Sequence, residues 1–464
     1  MTFALELAKR ITALTFNELP QEAIHWAKVG ILDTVGVTLA GAEEEATRIV
    51  ADVVLRGAPA GPALVFGRNQ RVGALDAALV NGTASHALDF DDCNNTLGGH
   101  PSAPILPALF ALAEETGASG REFITAYVAG FETECKFSLG VNFYQYTRGW
   151  HPTATIGIFG CAAACARLLG LPGDKVATAL AIAASLASGI KSNFGTMVKP
   201  LHVGHCTRNG LFAALLARGD FTANASAFEH KQGYFNVFNG EGNYEAGKIL
   251  PAWGKPFDIV SPGIAIKQYP CCGSTHPALD AMLALKRAHR LKADDIARID
   301  VWIHTRRLEH TNRPDPRTPL DAKFSVQYCV ARAATDGRIM IDDFEVDAIQ
   351  DAAVRRLLPK IHAAPYTTAQ FPAENHFGAE VRVETKDGRT LSHKVDQPFG
   401  RTVENPLPPE RLKEKFENCA ARALSRERIA SVYSTIQGLE DLKDVRELTA
   451  IIAGETGRAQ AAAA

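Results

Sequence analysis

Ala379-Glu380-Val381-Arg382-Val383-Glu384-Thr385 alternates apolar and polar side chains, breaks at Lys386-Asp387-Gly388, and is followed by a second run from Thr390 to Val395. Strict alternation is the period of a half-buried strand, and an Asp-Gly turn between two such runs signals a hairpin. The same period recurs at Ile299-Asp300-Val301-Trp302-Ile303. Helical segments accompany these strands at Pro277 to Arg290, Phe324 to Ala334 and Asp347 to Leu358. The stretch 268–402 therefore reads as a smaller α/β module.

On both sides of this module the period changes to that of a helix. Apolar residues recur at spacings of three and four in Ala23 to Ala40, Ala103 to Glu115, Arg121 to Leu139, His151 to Leu169, Asp174 to Gly189 and Cys206 to Ala217. Helical character returns in Pro409 to Ala423, Ser425 to Ile436 and Leu439 to Ile452. A tail of roughly 60 residues rarely supports a core alone, so it is expected to pack back on the first part of the chain. The expected architecture is mainly α: a discontinuous all-helical domain, 1–267 and 403–464, with an α/β lid, 268–402. Ala453 to Ala464 has little to bury and is expected to fray.

Hydrophobic residues make up 46% of the chain, charged residues 22%, and the formal net charge is -2, the balance of an ordinary soluble protein. Charges of both signs are interspersed, which argues against a nucleic-acid partner. The start Met1 to Arg10 reads as an amphipathic helix rather than a signal peptide. The runs Thr153 to Gly170 and Val176 to Ile190 are Ala- and Gly-rich and broken by Arg, Pro or Ser, so no membrane span is expected. Nine cysteines without framework spacing fit reduced thiols in a cytoplasm.

The chemistry-bearing residues begin at Asp89-Phe90-Asp91-Asp92-Cys93. If Ala74 to Cys93 is one helix, Asp89 and Cys93 share a face, Asp92 lies beside Asp89, and Asp91 points elsewhere. Carboxylates at a helix C-terminus are disfavoured by the macrodipole and call for a cation. Two imidazoles stand directly before proline, in His100-Pro101-Ser102 and Gly149-Trp150-His151-Pro152-Thr153. A residue before proline is held extended, which leaves each ring free to face a cavity bounded by positive helix N-termini. Lys199 precedes Pro200, and Lys267 shortly precedes Pro270; both read as loop positions. Asp89, Asp92, His100, His151 and the segment Cys271 to His276 lack the closed spacing of a metal site, so no metal is expected. There is no phosphate loop, dinucleotide fingerprint or nucleophile elbow. Two imidazoles, an acidic pair and two lysines suggest a pocket for a small polycarboxylate.

At these residues the sequence resembles the MmgE/PrpD family. The segments that carry the resemblance are His86-Ala87-Leu88-Asp89-Phe90-Asp91-Asp92, His100-Pro101-Ser102, Gly149-Trp150-His151-Pro152-Thr153, Thr196-Met197-Val198-Lys199-Pro200-Leu201-His202, Lys267-Gln268-Tyr269-Pro270-Cys271-Cys272 and Lys323-Phe324-Ser325-Val326-Gln327-Tyr328. The family includes 2-methylcitrate dehydratase, cis-aconitate decarboxylase and iminodisuccinate epimerase. The resemblance implies a large helical domain, a smaller α/β lid, a homodimer, and no metal or organic cofactor. It puts Asp89, His100, His151, Lys199, Lys267 and Tyr328 around an active-site cleft, with His276 beside them. Cys93 stands where aconitate decarboxylases resemble one another in having Thr, and the loop Asn94 to Gly99 is a residue longer than theirs, which bears on substrate choice rather than on proton transfer.

The expected function is a cofactor-independent lyase for a small di- or tricarboxylate, dehydrating a citrate-type hydroxy acid or decarboxylating an unsaturated acid. His151 or His100 would be the acid/base pair, Lys199 the electrostatic stabiliser or proton donor, and Asp89 the orienter. Lys267 and Tyr328 would clamp the substrate, with Cys93, Asp92 and His276 in the binding group. A carbanion-like centre beside a carboxylate needs such a positioned acid or base and fixed positive charge. A racemase or epimerase of the iminodisuccinate type would use the same residues, and a non-catalytic binding protein on the same fold is the third reading.

Overall fold

The computed structural model describes residues 2–372 and 374–453. The expected fraying of the last residues falls on 454–464, outside the described residues. Helices hold 58% of the residues and strands 10%, so the fold is mainly α with a smaller α/β part. Two units divide it: Met1–Ile266 with Pro409–Ala464, and Lys267–Pro408.

In the larger unit the helices include Gln21–Gly41, Ala74–Ala87, Ser102–Thr116, Gly120–Val141, Gly157–Leu168, Gly173–Leu186 and Val198–Arg218, joined by the C-terminal helices Pro409–Ala420, Arg426–Gln437 and Arg446–Ile452. Local signals set their ends. Gly117 adopts φ 69°, a left-handed conformation that closes Ser102–Thr116, and Ser119 with Glu122 forms the capping box that starts Gly120–Val141. The unit is not wholly helical. Ala60–Val65 and Gln70–Val72 form an antiparallel pair, fastened where the Leu64 N–H donates to Glu114 at 2.7 Å.

One close approach positions the site. Val198–Arg218 packs along Ala74–Ala87, and a Cβ on Gly204 would lie 2.2 Å from the Thr83 hydroxyl and 2.5 Å from the Leu79 carbonyl. A Cβ on the facing Gly82 would lie 2.9 Å from the Gly204 Cα. Bare glycines therefore let the two backbones meet, and the antiparallel crossing brings the first turn of one helix to the last turn of the other.

Two expectations for these helices are corrected. The first of them ends at Ala87, not Cys93, because Leu88 caps it and Asp89 takes φ 53°, which no right-handed helix continues. Asp89 and Cys93 therefore share no helix face. Lys199 lies in the first turn of Val198–Arg218 rather than in an extended loop. Pro200 is tolerated there because the first-turn N–H groups have no intrahelical partner to lose.

The smaller unit holds a four-stranded sheet in the order Ile361–Pro365, Ile296–Ile303, Ala379–Thr385, Thr390–Val395; the first pair is parallel and the others antiparallel. The Asp387-Gly388 turn forms with Gly388 at φ 88°. Ile299, Val301, Ile303, Ala379, Val381 and Val383 are buried in one cluster with residues of His276–His289 and Val326–Asp336. Each fully buried Val or Ile contributes about 1.5–3 kcal/mol. The parallel strand Ile361–Pro365 carries no alternation in His362-Ala363-Ala364 that the sequence pattern could flag.

Candidate active site

The site grows from the segment that follows Ala87. The Asp89 N–H turns back to the His86 carbonyl at 3.2 Å. Four residues on, Cys93 pairs with Ala265 through backbone hydrogen bonds of 2.8 and 2.7 Å, and the Asn94 N–H reaches the Gly99 carbonyl at 3.0 Å. The Asn94 amide donates to the Gly263 carbonyl at 2.9 Å and accepts from the Leu97 N–H at 2.8 Å, which closes the loop Asn94 to Gly99 on itself. His100 thereby returns to the carboxylates it left. Its N–H donates to the Thr153 hydroxyl at 3.2 Å, tying the first His-Pro corner to the second. His151 is extended, at φ -93° and ψ 99°, before the Pro152 that opens the next helix, and its N–H donates to the Gly189 carbonyl at 3.0 Å.

These constraints assemble a chain of alternating charge. The Lys199 ammonium donates to Asp89 Oδ1 at 2.6 Å, and His100 Nε2 lies 3.6 Å from the same oxygen. On its other side His100 Nδ1 is 3.1 Å from Asp91 Oδ2, which also accepts from His86 Nδ1 at 2.8 Å. The His86 ring is 4.6 Å from that of His100 and 5.8 Å from that of His151. His151 Nδ1 faces His202 Nδ1 at 3.3 Å, with Phe194 edge-on to the His151 ring at 4.8 Å. Cys93 Sγ stands 3.8 Å from His100 Nδ1. The His100, Lys199 and Asp89 side chains keep 12%, 15% and 16% of their surface, so the cluster opens at that end.

Burial and neighbouring charge together decide the protonation states. Burial opposes a charged His100, yet Asp91 and then Cys93 push it up to about 10. Burial and then the charges of Lys199 and His100 outweigh Asp91 at His86 and lower it to about 4. His151 falls well below the ordinary imidazole range through burial, then His86 and Lys199. Asp91 lies well below the usual carboxylate range: burial would raise it, but His100 and His86 prevail. At neutral pH the cluster therefore offers two cations, His100 and Lys199, beside neutral imidazoles.

Asp89, His100, His151 and Lys199, taken from the sequence as catalytic, are thus brought together in the larger unit, with Cys93 at their edge. Asp92 is engaged with Ser102 instead. It is fully buried, accepts from the Ser102 N–H at 3.2 Å and bonds the Ser102 hydroxyl, which in turn bonds Tyr127, so it caps Ser102–Thr116 from behind the cluster. The remaining three residues belong to the smaller unit. Lys267 follows Ala265, the backbone partner of Cys93, by two positions. Tyr328 is wholly buried in that unit's core, where its hydroxyl donates to the Asp343 carbonyl and accepts from Arg332 Nε at 3.1 Å; this hydroxyl is occupied within the unit. His276 is buried with Nε2 3.2 Å from the Cys271 carbonyl and its ring edge-on to Tyr269.

His86, Asp91 and His202 are members of the cluster that the sequence reading did not select. Assuming a helix through Cys93 turned Asp91 away, when it is the carboxylate at the centre. His86, Asp89, Asp91 and His100 place donor atoms within 4.8 Å of one another, the spacing of a metal set. The Lys199 ammonium on Asp89 already supplies a cation there, and Asp91 Oδ2 is engaged by two imidazoles. The arrangement fits anion binding and proton transfer.

Two family models match the chain: the MmgE/PrpD N-terminal domain over residues 5–246 and the MmgE/PrpD C-terminal domain over residues 269–437. Among curated proteins, it is 32% identical to a cis-aconitate decarboxylase of Homo sapiens over 96% of this chain and 94% of that one. It is 30% identical to the cis-aconitate decarboxylase-like protein oryM of Aspergillus oryzae, covering 97% of each, and 27% identical to a cis-aconitate decarboxylase of Aspergillus terreus, covering 96% and 95%.

Proposed function

Because this chain belongs to the MmgE/PrpD family and is a lyase, we propose that it decarboxylates a small unsaturated tricarboxylate of the cis-aconitate type without a cofactor. What supports this most is His100, a ring held between Asp91 and Asp89 and charged at neutral pH, beside the Lys199 ammonium at the open end of the cluster.

Loss of CO2 breaks a carbon–carbon bond and leaves its electron pair on carbon, next to the remaining unsaturated carboxylate. The reaction therefore needs fixed cations for the carboxylates and one proton to quench the pair. Lys199 and His100 supply the charge. His100 delivers the proton from Nε2, since Nδ1 is turned to Asp91; Asp89 holds the ring and the ammonium in register. His151, neutral at working pH, is an acceptor that can take up or return a proton. A positioned acid is worth about 10²–10⁴-fold, and preorganised charge in a site shielded from water adds to it.

The same reading carries a homodimer in the cytoplasm. Phe143, Ile190 and Met197 are 68%, 47% and 45% exposed on the larger unit, apolar surface suited to a second copy, and none of the nine cysteines is in a disulfide. No described helix is long and apolar enough to cross a membrane.

The test is incubation of the purified protein with cis-aconitate, following released CO2 and the product's new protons by NMR in deuterated water. One CO2 released per deuteron fixed on carbon is the expected result. Hydration would turn the reading to a dehydratase, and deuterium exchange without CO2 to an epimerase; either outcome overturns it.

A further inference from the structure

We propose that Asp91 and His86 form a positioning pair that fixes the tautomer and orientation of His100, with a single Asp91 oxygen holding the Nδ1–H of both imidazoles. This inference rests on the reading of His100 as proton donor. Asp91 Oδ2 lies 2.8 Å from His86 Nδ1 and 3.1 Å from His100 Nδ1. A carboxylate only accepts hydrogen bonds, so both Nδ1 atoms carry hydrogen. For His100 this leaves Nε2 as the nitrogen turned to Asp89 and the open end.

For His86 the consequence is the reverse. Its ring is buried, its Nδ1–H is spent on Asp91, and its Nε2 is a buried lone pair without a hydrogen-bond partner among the described residues. A second donor on Asp91 Oδ2 stops the carboxylate from swinging away, and the edge-on ring at 4.6 Å blocks His100 from turning. Without Asp91, His100 Nδ1 would face the Cys93 thiol at 3.8 Å, a weak partner that leaves the tautomer open.

The groups that set the charge of His100 come from every element around it: Asp89, Asp91 and Cys93 on its own segment, His86 on Ala74–Ala87, Lys199 on Val198–Arg218, and His151 at the second His-Pro corner. Asp91 is fully buried, and neither it nor His86 is needed to touch substrate in this scheme, so both act through His100.

Full-length protein labelled with ¹⁵N-histidine, with signals assigned through His100→Gln and His86→Gln, tests this without substrate. At pH 7.5 the ¹⁵N shifts are expected to report both nitrogens of His100 protonated and His86 protonated at Nδ1 alone. In Asp91→Asn, His100 is expected to titrate about 1–3 pH units lower, the shift an opposite charge at this range produces. The alkaline limb of kcat/KM moves with it, while KM changes little. A neutral wild-type His100, a His86 protonated at Nε2, or an Asp91→Asn protein with an unmoved limb would overturn the pair. If Asp91→Asn does not fold, the wild-type tautomers still decide. Correct tautomers in a protein inert toward cis-aconitate would sink the decarboxylase reading and leave the pair standing.

Discussion

Asp91 and Asp92 are adjacent, both fully buried, and opposite in character. In front, Asp91 faces two imidazoles and stays ionised, well below the usual carboxylate range although burial works against it. Behind, Asp92 faces the Ser102 backbone and hydroxyl, with Asp33 and Asp91 as neighbouring carboxylates, and burial first and then those charges drive it well above that range. Burial is the same for both; the partner decides. A carboxylate whose partners can hold a proton becomes part of a proton-transfer chain, while one among hydroxyls becomes a neutral acid that fastens a helix start.

Removing the cations should have the largest effect. His100→Gln or Lys199→Ala is expected to lower kcat/KM for CO2 release by about 10²–10⁴-fold, with an unchanged circular dichroism spectrum. A loss below tenfold for both would place the chemistry elsewhere.

The front and back acids give the next contrast. Asp91→Asn should lower kcat by roughly tenfold or more, because His100 loses the partner that holds its ring and tautomer, and should shift the pH dependence downward. Asp92→Asn replaces an acid that is already neutral with an amide that can still accept from the Ser102 N–H, so kcat should stay within about twofold and the loss of stability near 1 kcal/mol. Equal activity losses in the two variants would erase the distinction.

Further from the reacting groups, Gly204→Ala sets a Cβ against the Leu79 carbonyl and the Thr83 hydroxyl. Overpacking of this kind costs about 1–3 kcal/mol, read as a lower midpoint in urea, and separating the helices should weaken the Lys199–Asp89 contact enough to reduce kcat. The smallest effect belongs to the smaller unit. Tyr328→Phe removes the bonds to Asp343 and Arg332 and should cost about 1 kcal/mol of stability with kcat unchanged; a large fall in kcat would instead place Tyr328 in the site.

The fold was legible wherever a period was long. The hairpin Ala379–Thr385 and Thr390–Val395 follows directly from alternation and Asp-Gly, and the long helices follow from apolar spacing. The two strands of the larger unit were not, because Ala60-Gly61-Pro62-Ala63-Leu64-Val65 has no period and Gln70–Val72 is three residues long. In the site, His-Pro marks His100 and His151, since proline constrains the residue before it; Lys-Pro draws attention to Lys199, although its backbone is helical. Asp91 and His86 carry no such mark. Their meeting depends on Asp89 leaving the helix at φ 53°, a conformation that Asp tolerates but no spacing announces. Neither residue type nor resemblance announces burial: Asp92 and Tyr328, expected in the binding group, are fully buried, with their oxygens bonded to Ser102 and to Asp343 and Arg332.

The most direct measurement is kcat/KM for CO2 release from cis-aconitate between pH 5 and 11. With His100 held charged up to about 10, activity should persist through neutrality and fall only as pH rises through that value, when the donor loses its proton. A fall centred near the ordinary imidazole pKa of about 6.5, or no CO2 at any pH, would contradict the account.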